Sequence, residues 1–164
     1  MHSIMGCAVS DFDYIFGKPG SETETKFLVK VQETESLVNY LLSFIDIHFN
    51  LIDREYVVSS ISCKEIVRMY FMTAVDIVCQ SMDRDDMVWC RTSLDTLMYI
   101  GFTRDEGMDA LKYFVEGSYS HTDSLVMQES SVALHKYREK VTDIAVPLEL
   151  LIMAHSEYKP NRDI

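Results

Sequence analysis

The chain has 164 residues, enough to bury one core of ordinary domain size without disulfides or metals. Hydrophobic residues make up 48% and charged residues 25%, a globular balance that excludes a disordered chain. The formal net charge of -11 excludes direct binding to nucleic acid or anionic lipid, because a field of that sign repels phosphates.

Residues 1–20 mix aromatics (Phe12, Tyr14, Phe16) with a closing Gly17-Lys18-Pro19-Gly20 turn and read as an irregular arm. Ser21-Glu22-Thr23-Glu24 then has the form of a capping box, in which a hydroxyl and a carboxylate satisfy the free amides of a helix start. Phe27, Val31, Val38, Leu42, Ile45 and Phe49 follow at helical period, so a long helix to about Asn50 is expected, with a bend near Thr34. The stretch from Asp53 to Ser60 is a connector or a short helix.

A second box, Ser62-Cys63-Lys64-Glu65, precedes Ile66, Met69, Tyr70, Thr73, Ile77 and Val78 on one face. Asp83 or Asp85 then caps a helix carrying Val88, Arg91, Leu94, Leu97, Met98 and Ile100, which stops at Gly101 with Phe102 beyond it. Thr103-Arg104-Asp105-Glu106 is a third box, and its helix, with Met108, Leu111, Phe114 and Val115, ends at Gly117. Thr122 or Asp123 starts the next, with Leu125, Val126, Val132, Ala133, Tyr137 and Val141 inward. Asp143 and Pro147 fit the first turn of a last helix to about His155.

Helix starts thus recur about every twenty residues, and helices this short must bury a face on their neighbours to persist in water. The expected fold is all-α: antiparallel helical hairpins arranged as a HEAT-like stack or as an irregular bundle of about six helices, in one domain over 21–158 with a frayed tail at 159–164. Three segments, Val67 to Val75, Val88 to Leu94 and Val126 to Leu134, each open with Val and place small residues before the next aliphatic. In this, residues 62–156 resemble HEAT and armadillo-type helical repeats. The resemblance implies close helix packing at the small residues and a concave surface offered to protein partners.

Motifs for chemistry are missing. No Glu-x-x-His or His-Glu-x-x-His pair surrounds His2, His48, His121, His135 or His155, and Asp46 and His48 point in different directions on a helix. There is no phosphate-binding glycine loop and no Gly-x-Ser-x-Gly elbow, so no cofactor is expected. Cys7, Cys63, Cys79 and Cys90 form no CxxC pair, and the last three sit in apolar helical stretches, which suits a reducing, cytoplasmic location. No apolar run spans a membrane and no signal peptide is evident. Met5-Gly6-Cys7-Ala8-Val9-Ser10 would match a lipidation signal at Gly6 or Cys7 only if Met5 were the initiator.

The leading expectation is therefore a non-catalytic helical module that binds a protein with a basic surface, such as an immunity or inhibitor protein opposing a toxin or nuclease. Its contacts are expected at Asp83, Asp85, Asp86, Trp89, Asp105, Glu106 and Asp109, with Trp89 as an aromatic anchor among carboxylates. First-turn carboxylates also stabilise helix dipoles, which accounts for both acidic groups without a partner. The ten methionines serve as core filler or as the lining of an adaptable groove. Two alternatives stand beside it. One is a helical enzyme or ligand-binding domain assembled around His121, Glu129 and His135, and the other is a homo-oligomeric regulatory subunit.

Overall fold

The computed structural model describes residues 22–141 and 143–160, with side chains from residue 32 onward. These residues form seven helices and no strand: α1 (Glu22–Phe49), α2 (Arg54–Ser59), α3 (Ile61–Ser81), α4 (Asp86–Ile100), α5 (Arg104–Glu116), α6 (His121–Arg138) and α7 (Val146–His155). The arm at 1–20, the box beginning at Ser21, the Met5 to Ser10 segment and the tail from 161 lie outside the described residues. No helix among those described is long and apolar enough to cross a membrane.

Local chemistry sets most boundaries. Asp85, of the two aspartates considered, caps α4 by accepting from the Val88 amide at 3.0 Å. Thr103 and Glu106 close a reciprocal box on α5, and Gly117 ends that helix in the left-handed region at φ 72°. Gly101 ends α4 at φ 129°, with its own amide and that of Phe102 both donating to the Leu97 carbonyl. Pro147 occupies the first turn of α7, whereas Asp143 lies before that helix and caps nothing in it.

Two expected starts move. The cap of α3 is Ser60, whose hydroxyl accepts from Cys63, so the pattern beginning at Ser62 lies inside the helix. Likewise α6 begins at His121, because Ser120 and Asp123 form a capping box two residues before the expected position. In both places a hydroxyl two residues earlier takes the capping geometry. A box with Asp in place of Glu serves α6 equally well.

One contiguous core is built around α3. From Cys63 to Cys79 this helix buries residues on nearly every side, and it packs against α6 and α4 most extensively, then α2, α7, α5 and α1. A helix surrounded in this way belongs to a bundle. In a HEAT-like stack each unit meets only its sequence neighbours, and here the two broadest contacts besides the α3/α4 hairpin join α3 to α6 and α1 to α4. The architecture is thus the irregular bundle.

Helix α1 is rolled relative to the expected face. Thr34, Leu37, Leu41, Phe44, Ile45 and His48 are buried, whereas Val38, Leu42 and Phe49 sit half-buried on its flank. The roll brings Phe44 and His48 onto Tyr70 and Phe71 of α3, with ring centroids 5.1 to 6.3 Å apart. On α4 the small Thr92, Ser93 and Thr96 are buried, and small buried residues let a neighbouring helix approach closely. Gly107 does the same for α5, since a Cβ there would lie 2.6 Å from the Leu94 side chain.

Several expected inward positions are exposed instead: Met98 on α4, Leu125 and Val132 on α6, and Val141 beyond it. At the far end, Tyr158 is buried and its hydroxyl accepts from the Asp53 amide, so the chain remains packed up to the expected fray.

Candidate functional site

The residues singled out from the sequence divide sharply in the structure. Trp89 is fully buried, packed on Phe114 with centroids 5.8 Å apart, and so is not an exposed anchor. The apolar demand of a core between α3, α4 and α5 outweighs the acidic neighbours it has in sequence. Asp85 and Glu106 are engaged in capping. Glu106 also forms an ion pair with Lys64, and the bonds from Lys64 and the Thr103 amide hold its carboxyl below the usual range. Asp83 is exposed in the turn after α3 with φ 52°. Asp86 is half-buried in the first turn of α4, and Asp105 and Asp109 are exposed on α5.

These carboxylates do not merge into one patch. Asp83, Asp85 and Asp86 lie where α4 begins, and Asp105, Glu106 and Asp109 lie beyond where it ends, roughly 22 Å away along a helix of this length. Each group fits the role of helix start more closely than that of a shared contact surface.

His121, Glu129 and His135 are also kept apart. All three lie on α6, with His121 at its first residue and His135 fourteen positions on, a separation of roughly 21 Å along the axis. His135 is exposed and pairs with Glu139 at 3.4 Å. Among the described residues no three His, Cys, Asp or Glu side chains gather as a metal-binding group. This geometry gives the helical-enzyme alternative no common site.

The feature that does have the shape of a site lies elsewhere. Helices α5 and α6, although joined by a short loop, barely touch, and a cavity of about 490 Å³ opens where they diverge. Trp89 of α4 and Phe114 of α5 form its buried floor. Tyr119, in the loop, stands against Phe114 with centroids 5.9 Å apart, and Val115, Gly117 and Met127 complete the walls. Asp76 and Gln80 come from α3, where the Gln80 amide donates to the Asp76 carboxylate at 2.8 Å. Glu116 is the last residue of α5.

Its ionisable lining is acidic. Asp76 and Glu116 are the ionisable carboxylates of the lining, and none of the lining residues is basic. The Tyr119 hydroxyl, which donates to the Phe114 carbonyl, is held above its ordinary range by burial first and then by Asp76 and Asp123. The last turn of α5 contains no basic residue, so the carbonyl end of its dipole adds to the negative field.

None of Asp76, Glu116 and Tyr119 was among the residues expected from sequence. A signal existed for Asp76 alone, the one charged residue between Arg68 and Asp83 in an otherwise apolar and uncharged stretch. Glu116 and Tyr119 have no such mark, since what unites them with α3 is the course of the loop after Gly117.

The chain matches no protein family, no curated protein and no solved structure.

Proposed function

We propose that the chain is a helical module that binds another protein through a basic surface, in the manner of an inhibitor or immunity protein that masks a toxin or nuclease. The observation that carries this reading is the cleft between α3, α5 and α6, apolar and aromatic at its floor, rimmed by Asp76 and Glu116, and free of basic lining residues. A formal charge of -11 steers basic partners toward the molecule, and the steering weakens with salt.

The test is affinity capture with the intact chain at low and at high ionic strength, followed by mass spectrometry and a binding titration of whatever is retained. A basic protein held at low salt and released as salt rises supports the proposal. Retention only of acidic or neutral proteins, or binding indifferent to salt, contradicts it.

A second reading, self-association, has its own observation. Val146, Leu150 and Met153 recur at helical spacing on the outer side of α7 and are exposed, Leu150 by 56%. An apolar stripe of this kind suits an uncharged contact between copies. Light scattering decides it: a monomer mass at high concentration removes the self-association reading, and a dimer mass that falls to monomer in Leu150→Glu favours it.

A further inference from the structure

We infer that the groove between α1 and the end of α6 binds a small organic acid, with the apolar body of the ligand against Tyr40, Ile47, Tyr137 and Val141 and its acid group paired with Arg138 and Lys140. This is a different cavity from the α3/α5/α6 cleft, and neither reading rests on the other.

Size, lining and charge agree on that occupant. The groove encloses about 380 Å³, within the range of small-molecule sites. Its apolar surface is open to a ligand: Tyr40 and Val141 are each 40% exposed, and Ile47 is half-buried. Tyr137 is half-buried as well, with its ring already in contact with Phe44 at 5.5 Å between centroids. The charged side chains of the lining are Arg138 and Lys140, both basic, which runs against a formal charge of -11 for the chain. The cavity between α3 and α5, the one near Ser62 and Thr122, and the cleft all include carboxylates.

Both cations keep donors for a ligand. Arg138 donates to the Ser81 hydroxyl at 3.4 Å, one of the several bonds a guanidinium can make, and Lys140 pairs with no carboxylate among the described residues. The backbone holds Lys140 in place. Beyond α6 the Val141 amide donates to the Lys136 carbonyl and the Lys140 amide to the Tyr137 carbonyl, each at 3.0 Å. Those bonds occupy carbonyls that would otherwise present the negative end of the helix dipole. Lys140 itself takes the left-handed conformation at φ 64°, in a position that glycine usually fills. The dipole of α6 accounts for basic residues in its last turn, but not for a lysine beyond it in a strained conformation.

Other ligand classes fit less well. A neutral apolar molecule would exclude water from two cations and give them no counter-charge, and a cation meets repulsion from both. A large polyanion meets the field of the whole acidic molecule. A small monoacid meets the local pair at contact distance, while charges farther than about 10 Å are largely screened by salt.

The probe is anilinonaphthalene sulfonate titrated into the intact chain at neutral pH, since its emission rises when its rings leave water. Saturable binding is expected, with displacement by naphthaleneacetate and not by naphthalenemethanol, which has similar rings and no acid group. Arg138→Gln and Lys140→Gly should each weaken the probe about tenfold. Lys140→Gly also controls for folding. Glycine adopts φ 64° without strain, so the urea midpoint of this variant should equal or exceed that of the parent, and its lost affinity then reports the lost ammonium. Tyr40→Ala should weaken binding and Tyr40→Phe should not. Ile61→Glu, at an apolar side chain that is 76% exposed elsewhere on the surface, should bind like the parent.

The inference is overturned by the absence of saturable binding, by equal displacement with naphthalenemethanol, or by affinity in Lys140→Gly and Arg138→Gln that matches the parent. Loss of the signal in Ile61→Glu with the groove variants unaffected also overturns it, because the probe then sits on another surface.

Discussion

At the scale of single residues, His48 is held by two buried hydrogen bonds. Its ring is wholly buried, with Nδ1 2.7 Å from the Phe44 carbonyl and Nε2 2.7 Å from the Tyr70 hydroxyl. A carbonyl can only accept, so Nδ1 carries the proton and Nε2 receives the Tyr70 hydroxyl, which makes a fully bonded neutral imidazole. Burial pushes the His48 pKa down from 6.5 to about 4, against the upward pull of the Phe44 and Ile144 carbonyls. Burial likewise raises the Tyr70 hydroxyl, with the Glu129 charge adding to it.

The consequence for stability has a definite sign. Between pH 6.5 and about 4 the unfolded chain holds a proton on His48 that the folded chain refuses, so stability falls as pH falls through that window. The loss attributable to His48 amounts to about 3 kcal/mol once the pH is below the lower value. Urea unfolding at pH 7, 5 and 4 should show this slope in the parent and a shallower one in His48→Gln; identical slopes would refute the assignment. Tyr70→Phe should cost about 1 to 3 kcal/mol at neutral pH, because it leaves Nε2 buried without a donor.

At the scale of elements, the caps decide where helices begin and end, and they separate correct from incorrect expectations. The Thr103 box and both glycine stops were legible because each has one arrangement of side chain and backbone that satisfies the free groups, whereas the cap of α4 was narrowed only to Asp83 or Asp85. At Ser60/Ser62 and Ser120/Thr122 two hydroxyls compete within one turn, and the sequence does not say which backbone leaves the extended region first. Denaturation of paired variants checks the outcome. Ser60→Ala should destabilise by about 1 kcal/mol and Ser62→Ala by a small fraction of that. The reverse ranking would restore the later start. Gly101→Ala should cost about 1 to 2 kcal/mol, because its φ of 129° disfavours a side chain and a Cβ there would sit 3.0 Å from the Val58 Cγ1.

At the scale of the whole molecule, the single core around α3 controls reactivity as well as shape. Cys63, Cys79 and Cys90 are buried and in no disulfide, and the Cys79 thiol is pushed up to about 12 by burial, with Asp76 and Asp85 adding to the effect and Arg84 opposing it. A protonated, enclosed thiol is a poor nucleophile. Mass-spectrometric mapping of alkylation at neutral pH should find these three cysteines unmodified in the native chain and modified in urea. Rapid native labelling of Cys79 would mean that the core opens locally far below the cost of global unfolding.

Amphipathic period, capping chemistry and glycine stops act within a few residues of one another, so the sequence by itself determined that this chain is all-α and roughly where its helices run. It could not determine which face of each helix is innermost. α1 turned by about one position so that Phe44 and His48 meet the rings of α3, and Trp89 went inward despite three aspartates just before it in the chain. Those choices depend on which helices become neighbours, and only long-range packing sets that. The same holds for the cleft. Asp76, Trp89, Glu116 and Tyr119 come from three helices and a loop, and they converge because α5 and α6 diverge over the buried floor, a relation that no local pattern in the chain encodes.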